Sequence, residues 1–365
     1  MRAERASLAT GGCRVEEPKA RRIVFHAPRQ AAVEEVPLPS PGPGQALVQG
    51  EWSLVSTGTE MTAYTGDFPR GDSAWAAYVR YPFAPGYSAV GRVVAVGPDC
   101  ALVPGQRVAS GAPHASHYLV EAPREGTVHR GRHPVPDAHL VPADVASEDA
   151  TFHTLARIVL NGIRLGAPGL GDAVAVVGCG LLGQLAIRFA RLAGAHPVVA
   201  VDLDRRRLAL ARQSGADLCL CPEDGDPVTA LRDAHLGRLA DVVLDVTGAP
   251  GSFPLATRLA RDQGRVVVLG SPRGPVTVDL HDDVHTRGLV VVGAHASTTP
   301  VQETPQTPWT VQRNVELFFT LLRLGRVRVD DLVTHRFALG DAPEAYALLD
   351  RDRGAAMGVL LRLGT

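Results

Sequence analysis

The sequence predicts an α/β chain of two parts, a β-rich unit and a doubly wound parallel sheet, and three observations carry that reading. Its 365 residues exceed the ~100–200 of a usual single domain. Short β-branched runs separated by Gly and Pro fill the stretch from Arg21 to Val120, whereas from Asp172 onward apolar strands alternate with helical segments. The second texture is that of βαβ units laid into a parallel sheet.

Taken in order, residues 1–20 are charged and small and hold no apolar stretch of the ~7–15 residues a signal peptide needs, so they read as a disordered tail. The β-rich runs are RRIVFHA, QALVQGEWSLVS, AVGRVVAVG, QRVAS and SHYLVEA, with PLPSPGPGQ at 37–45 as a turn. The parallel strands are DAVAVVG, HPVVAVD, DLCLC, ADVVLDVTG, GRVVVLG and GLVVVGA. After Pro300 the alternation stops, and VQRNVELFFTLLRLG, VTHRFAL and APEAYALLDR return to complete the first unit. The expected boundaries are 21–155 with 300–365 for the β-rich unit, and 156–299 for the parallel sheet.

Composition narrows the function classes. The 37 basic and 38 acidic residues nearly cancel without forming blocks, which argues against nucleic acid or an anionic membrane as partner and favours a small, roughly neutral molecule. No run approaches the ~18 apolar residues of a membrane helix. Five cysteines, odd in number and without a CxxC pair, argue against a disulfide framework and suit a reducing cytoplasm. Lys19 is the sole lysine, which disfavours Schiff-base chemistry.

The sharpest motif is GCGLLG at 178–183, between a strand and a helix. Gly178 allows the tight turn, Gly180 lets backbone approach a pyrophosphate, and Gly183 lets helix pack on strand, while Leu181 and Leu182 open a helix whose free amides face the anion. Asp202, nineteen residues after Gly183, suits the adenosine ribose hydroxyls and repels a 2′-phosphate. NAD(H) is therefore favoured. Arg205, Arg206 and Arg207 keep NADP(H) possible, Arg206 being the residue assigned to the cofactor. Thr247, Ser271 and His295 follow the carboxyl ends of later strands, where open α/β sheets bind ligands.

Together with STGTE, PGYSAVGRVVAVG at 85–97, PGQRV at 104–108, VDLDRRRLALARQSGA and DVVLDVTG, this motif makes the chain resemble the medium-chain dehydrogenase/reductase superfamily over roughly residues 21–365. The resemblance implies a GroES-like catalytic domain interrupted by a Rossmann domain, with the active site in the cleft between them and Thr247, Ser271 and His295 beside the nicotinamide. Zinc-dependent members carry Cys at the place of Thr57, GHE at the place of Gly86, Tyr87 and Ser88, and a Cys or acidic ligand near His153. Thr57 and Tyr87 are poor ligands, and catalytic zinc needs three good ones. The four-cysteine structural lobe is absent too. The chain is thus similar to a zinc-free branch, and no metal is expected. The pairs His114/His117 and His281/His285 read as surface or loop histidines.

What zinc would do, holding charge on a reacting oxygen, falls by this reading to Thr57, Thr59, Glu60, Tyr64, Tyr87, Ser88 and His153. Thr59 sits where zinc-dependent relatives have a proton-relay hydroxyl, and a path from Thr59 to His153 or Tyr87 is expected. Each has a plainer alternative: Glu60 bracing a turn, Tyr64 packing, Tyr87 filling the vacated hole. Arg157 meets either cofactor phosphate or solvent. Phe68, Trp75, Tyr78, Tyr81 and Phe83 either roof the pocket or plug against Trp309. So polar a cleft implies a polar secondary alcohol or ketone on a sugar, cyclitol or aminoglycoside-like ring, with Glu60, Asp67 and Asp72 favouring an amino group. A C=C (enone) reductase and a non-catalytic nucleotide-binding relative are the alternatives. The apolar strand GLVVVGA implies a homodimer.

Overall fold

The computed structural model describes residues 18–69, 71, 73–122, 137–352, 354 and 356–364. The tail expected over 1–20 lies outside the described residues as far as 17. Its last two residues are strand instead: Lys19 and Ala20 open β1 (Lys19–Ala27), which pairs antiparallel with β2 (Gln30–Pro37) and places Lys19 Nζ 2.8 Å from Glu35. Next come β3 (Gln45–Leu54), β4 (Ala89–Val96), β5 (Arg107–Ser110), β6 (His117–Glu121) and β7 (Ala138–Leu140), antiparallel where they pair. Two short helices, α1 (Thr59–Thr65) and α2 (Ala74–Tyr78), occupy the long connection from β3 to β4, and Ser73 caps α2 by accepting from Ala76 N. α3 (Ser147–Ala150) and α4 (His153–Gly166) lead out of this unit.

The parallel sheet comprises β8 (Val174–Val177), β9 (Val198–Val201), β10 (Leu218–Leu220), β11 (Ala240–Asp245), β12 (Ala260–Val268) and β13 (Val290–Gly293) in the spatial order β10-β9-β8-β11-β12-β13. Interleaved are α5 (Leu181–Leu192), α6 (Arg205–Gln213), α7 (Pro227–Ala234) and α8 (Phe253–Leu259). β8 is wholly buried because helices cover both faces, which is why its sequence is a continuous Val/Ala run. Strand order reverses between β8 and β11, so a crevice opens at their carboxyl ends.

α9 (Val311–Arg323), β14 (Val333–Ala338), α10 (Ala342–Arg351) and β15 (Gly358–Arg362) then return to the first unit, β15 pairing antiparallel with β3. Their return seals an aromatic core in which Phe25 meets Tyr64 at 5.4 Å and Tyr346 at 4.8 Å, centroid to centroid. α4 packs against both α5 and α9, so its amino-terminal turns stand at the junction of the two units. β13 is an edge strand with Val290 and Val291 exposed. Among the described residues no helix is long and apolar enough to cross a membrane.

Candidate active site

The glycine loop after β8 has the shape its sequence demands. Gly178 adopts φ +94°, and a Cβ there would lie 2.9 Å from Thr247 Cγ2. A Cβ on Gly183 would lie 2.0 Å from the Gly178 carbonyl oxygen, so α5 approaches β8 only because that atom is missing. A Cβ on Gly180 would meet nothing within 4 Å, which leaves the start of α5 open to a ligand. Leu181 is buried and Leu182 half-buried beneath this loop.

Asp202, just beyond β9, accepts from the amides of Cys179 (2.6 Å) and Asp204 (2.8 Å), which fixes its carboxylate beside the loop. Two of the arginines near it are engaged with other carboxylates. Arg206 folds back on Asp204 at 3.0 Å and holds that carboxyl below its ordinary value, and Arg205 pairs with Asp224 at 2.6 Å. At the carboxyl end of β11, Asp245 takes the hydroxyl hydrogens of Thr247 (3.0 Å) and Ser252 (2.8 Å), locking the next loop. Ser271 and His295 are exposed beyond β12 and β13, and His295 Nδ1 caps the following turn by accepting from Ser297 N. These residues fit a dinucleotide laid along the open edge of the sheet.

A group of hydroxyls lies in the other unit, beside α1, which Arg273 of the loop after β12 reaches through Thr62 Oγ1 (3.1 Å). The Tyr87 hydroxyl donates to Ser56 Oγ, and the Thr59 hydroxyl stands near the same phenol. Burial first, then the negative charge of Glu60, push the Tyr87 phenol well above its ordinary value, opposed by Ser56 and Thr59. It is therefore a neutral donor. Thr57 lies half-buried in the turn before α1, its hydroxyl bonded to no protein group among the described residues.

The remaining candidates bond to or stack on protein groups. Glu60 is buried behind the cleft, accepting from Ser56 N (2.9 Å) and the Tyr346 hydroxyl (2.6 Å) and pairing with His114 Nε2 (2.9 Å). Its charge is spent on these partners rather than offered to a ligand. Asp67 is exposed, and Asp72 lies outside the described residues. Tyr64 stacks on Tyr346 in the aromatic core, away from Tyr87. Ser88 is buried and donates to the Thr151 carbonyl at 2.5 Å. His153 is 1% exposed, with Nδ1 on the Ala150 carbonyl (3.0 Å) and Nε2 on the Thr154 hydroxyl (3.1 Å), which itself donates to the Tyr87 carbonyl. Burial, then His139 and Arg157, hold His153 well below its ordinary value. Of the two expected proton paths from Thr59, the structure brings together the one to Tyr87 and not the one to His153.

Sequence reasoning missed Ser56, His114, Thr154 and Tyr346. Only Ser56 lies close in sequence to a residue singled out there, its amide donating to Glu60 four residues on. Of the aromatics, Phe68, Trp75, Tyr78 and Phe83 form a continuous chain of ring contacts, while Tyr81 donates to the Ala63 carbonyl. Trp75 Nε1 reaches Pro272 O (3.4 Å) and Arg273 reaches Thr62 Oγ1 (3.1 Å), so this segment spans the cleft to the parallel-sheet unit. Trp309 is not its partner, being flanked by Arg164 (3.4 Å) and Arg313 (4.2 Å).

The donors at 57, 87 and 153 do not fit zinc. A threonine hydroxyl and a phenol held neutral are poor ligands, and both nitrogens of His153 are engaged in the protein. Among the described residues no three His, Cys, Asp or Glu side chains converge as a metal site. His114 is committed to Glu60 and Ser53, and His281 to Asp282.

A family model described as zinc-binding dehydrogenase matches residues 182–310, a span that excludes all three of those positions. An L-threonine 3-dehydrogenase from Symbiobacterium thermophilum is 29% identical over 343 residues, 87% of this chain and 91% of that one. A Mycobacterium tuberculosis protein named "Probable alcohol dehydrogenase adh" is 34% identical over 288 residues, 69% of this chain and 76% of that one. Among solved structures, the alcohol dehydrogenase TADH from Thermus sp. ATN1 aligns with a TM-score of 0.75 at 25% identity, covering 94% of this chain and 99% of its own.

Proposed function

The chain belongs to the medium-chain dehydrogenase/reductase superfamily as a nicotinamide-dependent alcohol oxidoreductase, and on that premise we propose that it interconverts a secondary alcohol and a ketone on a polar, ring-shaped substrate without zinc. One observation carries the proposal: the Tyr87 phenol, held neutral and tied to Ser56 and Thr59, stands at a position where zinc-dependent relatives have a ligand.

A bound nicotinamide supplies or accepts the hydride. The chain's own part begins with Gly178, Gly180 and Gly183, which give the pyrophosphate its backbone cradle, and Asp202, which takes the ribose hydroxyls and favours NAD(H). In the reducing direction Tyr87 donates its proton to the carbonyl oxygen as it takes one from water through Ser56 or Thr59; in the oxidising direction the relay runs backwards, Tyr87 taking the carbinol proton as its own passes through Ser56 or Thr59 to water. Help of this kind is worth about 10²–10⁴-fold. Thr57, with an uncommitted hydroxyl, lines the pocket for a hydroxylated ring, and the Phe68–Trp75–Tyr78 segment shields it from water. A homodimer formed through the β13 edge and a cytoplasmic setting belong to the same proposal.

The test is turnover with NADH and NADPH on sugars, cyclitols, their ketones and simple enones, with metal analysis of the purified protein. Polyhydroxylated ketones reduced by NADH at substoichiometric zinc, and a weakened NADH preference in Asp202→Ala, are the expected results. Zinc bound stoichiometrically and required for turnover, or reduction of enones alone, would overturn the proposal.

A further inference from the structure

Arg157 lies on α4 four residues after His153, on the same face, where the helix's first turn is bound to the cleft by the hydrogen bond from Thr154 Oγ1 to the Tyr87 carbonyl (2.9 Å). The titratable groups around it are Tyr87, Asp137, His139 and His153. Its charge lowers the proton affinity of both histidines, and burial lowers its own. Tyr87 and Asp137 offset that burial only in part, and from a distance. Tyr87 is neutral, the two histidines are held below their ordinary values, and Asp137 forms no ion pair with it. Among the described residues Arg157 has no hydrogen-bond or carboxylate partner. Arg164, two turns further along α4, has both Asn314 Oδ1 at 3.1 Å and the Trp309 ring. A partly buried guanidinium left without a counter-ion is unfavourable in the resting protein and is relieved by an anion.

Two anions are available in principle, the cofactor's phosphates and a group on the substrate. The phosphate cradle is at the start of α5, around Gly180. Arg157 instead belongs to the turn that holds Tyr87, the proton donor of the proposed reaction. We propose that Arg157 pairs with a negatively charged substituent, carboxylate or phosphate, on the alcohol substrate, so that this site is built for a polyhydroxylated acid rather than a neutral or cationic ring. This rests on the alcohol–ketone reading above. It reverses the charge preference expected from Glu60, Asp67 and Asp72, because Glu60 is turned inward onto His114 and Tyr346.

The experiment measures binding rather than turnover. Calorimetric titrations of the enzyme–NADH complex compare quinate with its methyl ester and sorbitol 6-phosphate with sorbitol, in the wild type, Arg157→Gln and Arg157→Lys. The expected result is that at least one anion binds about 10²-fold more tightly than its neutral partner, that Arg157→Gln erases the difference, and that Arg157→Lys restores part of it. Which pair responds separates carboxylate from phosphate. NADH affinity should be the same in all three proteins. Equal binding of both anions and their neutral partners by the wild type overturns the proposal, as does an Arg157→Gln enzyme that loses NADH as strongly as it loses the anion. Parallel turnover assays keep the two readings apart: selective anion binding with no oxidation or reduction of any alcohol or ketone sinks the proposed reaction and leaves the anion site standing.

Discussion

Glu60 and His114 are sealed together in the β-rich unit, with His114 Nε2 2.9 Å from a Glu60 carboxylate oxygen and both side chains almost wholly withdrawn from solvent. Tyr346 and Ser53 complete the group, donating to Glu60 at 2.6 Å and meeting His114 Nδ1 at 2.7 Å. Removing one member leaves the others buried without partners. Glu60→Ala should therefore cost about 3–5 kcal/mol of stability by urea denaturation. Glu60→Gln, which keeps a hydrogen-bonding end, should cost less. A Glu60→Ala protein as stable as the wild type would show that the group is not a structural pin.

That pin also marks where sequence reasoning ran out. The GCGLLG loop was legible because its constraints are local: Gly178 turns, and Gly183 lies against Gly178 itself. The alternation of strands after Asp172 was legible for the same reason, since burial on both faces is written into the Val/Ala runs of β8 and β9. Glu60 was placed in the cleft because it adjoins Thr59. Its partners His114 and Tyr346 lie 54 and 286 residues away, and nothing near Glu60 announces them. Ser88 likewise turns to Thr151, 63 residues on. A motif fixes where the backbone goes more firmly than where each of its side chains points.

The glycine loop offers a separation of structure from binding. Gly180 has ordinary dihedrals and open space at its missing Cβ, so Gly180→Ala should leave the melting temperature unchanged while weakening NADH binding, the added methyl standing where the pyrophosphate would lie. Gly183→Ala should instead destabilise the protein by about 1–3 kcal/mol or more, because α5 must move off β8. Thermal melts and NADH titrations of the two variants check both. A Gly180→Ala enzyme that binds NADH normally would contradict the assigned cradle.

Acid should weaken the fold from just below neutral pH. His139 and His153 are buried and held below the ordinary histidine value of about 6.5, and half-buried His117 is shifted the same way. A base whose folded-state value is depressed stays neutral in the native protein while its unfolded counterpart takes up a proton. The stability is thus complete above pH ~6.5 and falls as pH drops from there towards the folded values, by up to about 1.4 kcal/mol per pH unit for each histidine. Urea midpoints measured between about pH 7.5 and 5 should show this slope, and a His139→Asn, His153→Asn double variant should flatten it. A flat wild-type profile over that range would rule the mechanism out.

The proposed chemistry turns on one oxygen atom. Tyr87→Phe keeps the ring in its packing and removes only the hydroxyl that meets Ser56 and Thr59, so stability should change little while kcat falls by about 10²–10⁴-fold and NADH affinity holds. Thr59→Val should fall less, since Ser56 still serves the phenol. His153→Ala should act mainly on stability, because His153 bonds Ala150 and Thr154 and not the cleft. The pH profile gives a second check. Burial and Glu60 raise the phenol, so it should remain protonated through the ordinary tyrosine value of about 10 and impose no alkaline loss of rate there. The stability tied to this raised value is intact below pH ~10 and is lost only as pH climbs through the folded value. If Tyr87→Phe turned over as fast as the wild type, the reacting oxygen would have to be held elsewhere, and Thr57 would be the next hydroxyl to remove.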